Sequence, residues 1–164
     1  MADQYNVLFL CTGNSARSIM AEALLNHKGK GRFVAYSAGS RPAGAPRPEA
    51  LAELELAHIS TSGLRSKSWD EFADPNASHF DFIFMVCDAA AAEVCPVWPG
   101  HPITANWSIP DPATAQGTPE EITRAFHDAF TLLDRRINLL LALPMTELDA
   151  MAAEQQLQEI GKAA

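Results

Sequence analysis

The feature that most constrains this chain lies near its start. Residues 5–10 (YNVLFL) form a short apolar run that passes through Cys11, Thr12, Gly13, Asn14, Ser15, Ala16 and Arg17 into residues 18–27 (SIMAEALLNH). The first run is closed by a glycine-containing loop and reads as a buried parallel strand. The second places Ile19, Ala23 and Asn26 on one side with Met20, Leu24 and His27 beside them, an amphipathic helix that ends before Gly29.

The rest of the chain repeats this alternation. Residues 33–38 (FVAYSA) alternate as a second strand and stop at Gly39, Pro48 can open a helix over 49–58, and 81–86 (DFIFMV) is the strongest strand, followed at once by Cys87. A helix is expected through the alanines at 89–92. Five prolines, at 96, 99, 102, 110 and 112, make the next stretch irregular and leave 103–109 as the one candidate for a fourth strand. Thr118, Pro119 and Glu121 form a capping box that opens a long helix to about residue 143, Pro144 ends it, and 146–160 reads as one more, weaker helix. Strands alternating with helices indicate an α/β doubly wound sheet, which takes ligands beyond the carboxyl ends of its strands. Cys11 and Cys87 both fall there. With 164 residues and 48% hydrophobic content, a single domain is expected, spanning 1–143 with 144–164 as a helical extension of it.

Composition narrows the classes. A net charge of −8 argues against nucleic acid, which requires clustered Lys and Arg. The charge is uneven: residues 1–67 hold eight Lys and Arg against five Asp and Glu, and residues 68–164 hold four against fifteen. The early part could draw in an anion, although a chance scatter of surface charge gives the same asymmetry. No apolar run approaches the roughly 18 residues a membrane span needs, and residues 1–10 do not resemble an export leader. Three cysteines, an odd number, suit reduced thiols in a cytoplasm.

The loop carries the chemistry. Joining a strand to a helix, its backbone N–H groups can converge on one point at the positive end of the helix dipole, where a tetrahedral dianion fits. Gly13 and Asn14 tolerate left-handed backbone, and Arg17 adds a planar fork for two oxygens. There is no Gly-Lys-Ser/Thr sequence, so this is not a nucleotide-binding loop. The helix end, Arg17 and the Ser18 hydroxyl all favour Cys11 as thiolate. A more acidic thiol is also a weaker nucleophile, so positioning must supply most of any rate. The plain alternative is a buried cysteine beside a structural turn.

CTGNSARS followed by IMAEAL, with the later Asp111-Pro112, resembles the low-molecular-weight tyrosine phosphatase superfamily and its arsenate reductase branch, over about residues 5–143. The resemblance implies a four-stranded parallel sheet in the order 2-1-3-4, with Cys11 and Cys87 at the ends of adjacent strands and Asp111 as general acid. It also implies that Cys11 forms an arsenic adduct, that Cys87 attacks Cys11 as arsenite leaves, and that Cys95 then attacks Cys87. Adjacent strands lie about 4.8 Å apart, within reach of a disulfide. A fully helical 87–95 would hold its two cysteines about 12 Å apart, so that segment must unwind on oxidation. A phosphatase has no use for Cys87 or Cys95, which would then be small core residues.

Other features favour the reductase branch. Ala113-Thr114-Ala115 stands where phosphatases of this type carry aromatic residues, and the run from Asn106 to Ala113 looks like the reductases, with Trp107 a core residue. A zinc site is not expected, since the histidines at 27, 58, 79, 101 and 127 show no paired spacing near the thiols. No bound cofactor is expected. The electron donor would be external, thioredoxin or glutaredoxin with glutathione, because Cys87 and Cys95 stand one residue further apart than in thioredoxin-coupled relatives. Some relatives bind potassium through residues matching Asn14, Glu22 and Ser37, and here Lys67 could place its ammonium where that ion sits. The expectation is an arsenate reductase. The alternatives are a phosphotyrosine phosphatase and a non-catalytic oxyanion-sensing or partner-binding protein.

Overall fold

The computed structural model of the chain describes residues 4–73, 79–86, 102–144 and 150–162. Four strands, β1 (Tyr5–Cys11), β2 (Phe33–Gly39), β3 (Phe82–Met85) and β4 (Ile103–Asn106), form one parallel sheet in the order β2-β1-β3-β4. That is the order the family resemblance implies. Around it lie helices α1 (Arg17–Lys28), α2 (Pro48–Leu56), the single turn α3 (Asp70–Ala73), α4 (Pro119–Leu141) and α5 (Ala150–Gly161). No helix among the described residues is long and apolar enough to cross a membrane.

Residues alternate in direction along β1, and both directions are apolar because both faces are covered. Val7, Phe9 and Cys11 join the larger core with Met20 and Leu24 of α1, Leu54 of α2 and Phe126, Leu133, Ile137 and Leu140 of α4. Leu8 and Leu10 join a smaller one with Trp69, Phe80 and Ile83. The capping box of α4 forms as expected: Thr118 Oγ1 accepts from Glu121 N while Glu121 accepts from Thr118 N. The helix expected through residues 89–92 lies outside the described residues.

β4 is shorter than the expected 103–109. The chain still donates from Trp107 N to Met85 O and from Ile109 N to Val86 O, but its carbonyls turn away from the sheet toward arginine side chains, and regular pairing stops. The open edge of β4 is met by α5. Gln158 accepts from Asn106 N at 3.3 Å and donates to Thr104 O at 3.4 Å, taking the place of a neighbouring strand. Trp107 stacks on Phe84 with ring centroids 4.0 Å apart and donates its indole N–H to Leu157 O at 2.9 Å.

Gly161 closes this contact, because a Cβ there would strike Asn106 O and press on Trp107 Cδ1. Gly161→Ala is therefore expected to destabilise the fold by about 1–3 kcal/mol, the usual cost of overpacking. Urea unfolding would show it as a lower midpoint at unchanged slope, and an unchanged midpoint would mean that α5 moves aside freely.

Candidate active site

The strand β1 delivers Cys11 to the carboxyl edge of the sheet, and α1 begins six residues later at Arg17. Between them the loop turns its carbonyls outward. Arg41 N donates to Thr12 O at 2.9 Å, Ala43 N to Gly13 O at 2.9 Å, Arg47 N to Ser15 O at 2.7 Å, and Met20 N to Ala16 O at 2.9 Å. Ser66 Oγ adds a second bond to Gly13 O at 3.1 Å. A planar trans peptide sends its N–H opposite its C=O. The N–H groups of Gly13, Asn14, Ala16 and Arg17 therefore face the inside of the loop, and that of Asn14 reaches Cys11 Sγ at 3.2 Å. No side chain caps the N-terminus of α1, where Ala16 stands. This end of the helix presents donors and positive dipole to whatever occupies the loop.

The loop needs one left-handed residue, and Asn14 supplies it at φ 45°. Gly13, expected to share that role, is not in the left-handed region. The Asn14 side chain is locked at both ends. Lys67 N donates to its Oδ1 at 2.8 Å, and its Nδ2 donates to Ser18 Oγ at 2.8 Å. A backbone N–H can only donate, so the amide orientation is fixed, and Ser18, accepting from Asn14, has its own proton to give. Ser18 Oγ lies 3.0 Å from Cys11 Sγ, placed to donate to it when the sulfur is a thiolate. Cys11, only 3% exposed, thus has two groups, the Asn14 N–H and the Ser18 hydroxyl, able to donate to a thiolate.

Lys67 is held by β2: Gly39 N donates to Lys67 O, and Trp69 N donates back to Gly39 O, each at 2.9 Å. Gly39 must lack a side chain, since a Cβ would fall on Thr12 O and Asn14 N. The Lys67 ammonium is buried, 3.6 Å from Glu22 Oε1 and 3.4 Å from Ser37 Oγ, and it donates to Arg65 O at 2.9 Å. Of the three residues matched to a cation site, Glu22 and Ser37 face this ammonium, whereas Asn14 meets only the Lys67 backbone N–H. Burial pushes the Glu22 carboxyl up despite its bond from Ser37 and the nearby ammonium, and burial pulls Lys67 down despite Glu22.

Arg17 and Asp111 meet across the mouth of the loop, with Nη2 and Oδ2 3.4 Å apart. Arg17 Nη1 also donates to Ile109 O at 3.1 Å. The structure therefore brings Cys11, Arg17, Ser18 and Asp111 to one place, with Thr12, Gly13, Asn14, Ser15 and Ala16 forming the cradle. Cys87 and Cys95 lie outside the described residues. Two groups escaped the sequence reading. The segment 41–47, which seats the loop, acts through backbone N–H groups and leaves no side-chain signature. Arg136 had a readable signal, for it falls on the apolar stripe of Phe126, Ala129, Leu133 and Leu140 along α4.

The chain belongs to the low molecular weight phosphotyrosine protein phosphatase family, whose model matches residues 6–157. Within that family its curated relatives include an arsenate reductase of Shouchella clausii, 36% identical over 115 residues that cover 70% of this chain and 79% of the relative. An arsenate reductase solved in its phosphate-binding state is similar at a TM-score of 0.69 and 25% identity, over 84% of this chain and 97% of that one. A low-molecular-weight protein tyrosine phosphatase from T. tengcongensis gives 0.62 and 26%, over 82% and 98%.

The buried Glu22 gives a pH dependence of defined sign. Its folded value is raised above the ordinary 4.5, so in the window just above that value the folded chain holds a proton that the unfolded chain has lost. The contribution of Glu22 to stability there falls as pH rises. In Glu22→Gln that contribution is absent, and unfolding free energy plotted against pH from about 4.5 upward should fall less or rise more than in the wild type. Parallel plots from a urea series would contradict the assignment.

Proposed function

We propose that this protein is an arsenate reductase that uses Cys11 as nucleophile and Cys87 and Cys95 as relay thiols. The observation that carries the reading is the bond from Val86 N to Leu10 O at 2.8 Å. Val86 immediately precedes Cys87, and Leu10 immediately precedes Cys11, so a second thiol follows directly from the strand end beside the nucleophile. The identity to curated arsenate reductases supports the same reading.

The arsenate dianion binds in the loop, gripped by the inward N–H groups and the Arg17 fork. The Cys11 thiolate attacks arsenic, an As–O bond breaks, and Asp111 protonates the departing oxygen as water. A Cys87 thiolate then attacks Cys11 Sγ. The S–As bond breaks with its electron pair on arsenic, which leaves as arsenite, and a Cys11–Cys87 disulfide remains. Attack of Cys95 on Cys87 frees Cys11, and an external dithiol, thioredoxin or glutaredoxin with glutathione, reduces the Cys87–Cys95 disulfide. The attack of Cys95 on Cys87 is favoured by a stabilised leaving sulfur, and Asn14 N–H and the Ser18 hydroxyl provide that for Cys11.

Phosphomonoester hydrolysis shares the Cys11, Arg17 and Asp111 set and is the rival activity. The described rims of the site lack an aromatic wall: Arg41, Pro42, Ala43, Gly44 and Ala45 are exposed on one side, and Pro112, Ala113 and Thr114 follow the acid on the other. A small inorganic anion suits such rims better than a tyrosyl ring.

Steady-state assays of wild type, Cys87→Ser and Cys95→Ser, with arsenate and each thiol donor and with an aryl phosphate in parallel, decide between them. Arsenate turnover should fall at least a hundredfold in both variants while oxyanion binding persists. Ester hydrolysis untouched by both substitutions, with no arsenate turnover in the wild type, would make the protein a phosphatase. Oxyanion binding without either turnover would make it a sensor.

The Lys67 ammonium, placed against Glu22, Ser37 and the Arg65 carbonyl, takes the role of a bound monovalent cation. Turnover should therefore be equal in potassium and in tetramethylammonium salts of matched ionic strength. Activation by potassium would overturn that assignment.

A further inference from the structure

Between the end of β4 and Asp111 the chain has few backbone means of holding its course. Pro110 and Pro112 lack an N–H, and the described backbone bonds there, from Trp107 N and Ile109 N to β3 and Val86, leave the outward carbonyls to other donors. Arginines supply them. Arg136 Nη1 donates to the carbonyls of Trp107 and, at 3.2 Å, Ser108, and Arg17 Nη1 donates to Ile109 O.

The two arginines are not equivalent. Arg17 belongs to the oxyanion loop and its fork is needed by the anion, so its hold on Ile109 and Asp111 competes with substrate. Arg136 comes from α4 and is 5% exposed, on the helix stripe where an apolar residue would pack at lower cost. Burial pulls its guanidinium below the ordinary value, the mark of that cost. Trp107, whose carbonyl it grips, is itself fixed by stacking on Phe84 and by its indole bond to Leu157 O.

We propose that Arg136 is a positioning residue for the acid step: it fixes the backbone at Trp107 and Ser108, and so keeps Asp111 aimed at the departing oxygen when the anion has engaged Arg17. The proposal rests on the reading of Asp111 as general acid given above. It assigns to α4, away from the loop, control over one catalytic step and not over anion binding.

A double-mutant cycle on the full chain tests it, with Arg136→Met, Arg136→Lys, Asp111→Asn and the combined variants assayed on both arsenate and an aryl phosphate. Arg136→Met should lower kcat at least tenfold. Phosphate should still protect Cys11 from iodoacetamide, with an apparent affinity changed less than threefold. Arg136→Lys should recover part of the loss, because an ammonium still meets one carbonyl. In the Asp111→Asn background, Arg136→Met should cost less than twofold, since the group it aims is gone. An equal fold-loss in both backgrounds, or loss of phosphate protection, would overturn the proposal and leave Arg136 a general stabiliser. Should Arg136→Met fail to fold, the same cycle with Arg136→Lys decides. A wild type that hydrolyses the ester but leaves arsenate unreduced sinks the reductase reading, and the cycle on the ester still decides on Arg136.

Discussion

The backbone N–H of Lys67 can only donate, and it donates to Asn14 Oδ1. That one polarity propagates to the sulfur. With its oxygen committed, Asn14 turns its Nδ2 to Ser18, which leaves the Ser18 proton available to a Cys11 thiolate. A buried bond of this kind contributes about 1 kcal/mol net, whereas stranding one of its groups costs about 1–3 kcal/mol. The chain of three is thus strongly specified relative to any flipped arrangement. It also helps to hold Asn14 in a left-handed conformation that a non-glycine residue adopts at some cost. The close approach of Gly39 to Thr12 and Asn14 completes the lock, tying the loop to the end of β2 and not only to its own helix.

The Lys67 side chain answers a separate need. Glu22 on α1 and Ser37 on β2 place acceptors beneath the loop, and a buried carboxylate without a counter-charge would be costly. Lys67 supplies that charge covalently, from the same residue whose N–H orients Asn14. Burial drives both partners toward neutrality, so the pair is a poor source of stability. Its worth lies in fixing the distance between α1, β2 and the segment that carries Lys67.

The parts of this arrangement that were legible in the sequence are those with a periodic or short-range cause. The apolar run before Cys11, the amphipathic α1 and the capping box of α4 each advertise themselves within a few residues. The sheet order, by contrast, came through a family resemblance, because strand neighbours leave no local trace. The segment 41–47 stayed hidden because it acts through backbone N–H groups, and α3 because four residues carry no period. β4 was read three residues too long: Trp107, Ser108 and Ile109 look like strand, and only the arginines that take their carbonyls show why they are not. Arg136 itself was visible as a charge on an apolar stripe, a conflict between pattern and chemistry of the kind that marks a functional or strained position. Cys87 and Cys95, the proposed relay thiols, lie outside the described residues.

A net charge of −8 conflicts with an anion site only if charge is summed without regard to distance. At physiological salt the Debye length is about 8 Å, so the acidic second half of the chain acts weakly on an anion in the loop. What an anion in the loop would meet is local: the Arg17 fork, the inward N–H groups and the N-terminus of α1. The same backbone bonds that turn the loop amides inward therefore set most of that local field, while the Arg47 guanidinium is turned to Glu49 at 3.4 Å and lies over the Phe126 ring. Thr12, Gly13 and Ser15 accept from the segment 41–47 through their carbonyls, so one set of hydrogen bonds sets both the shape of the cradle and the direction in which its N–H dipoles point.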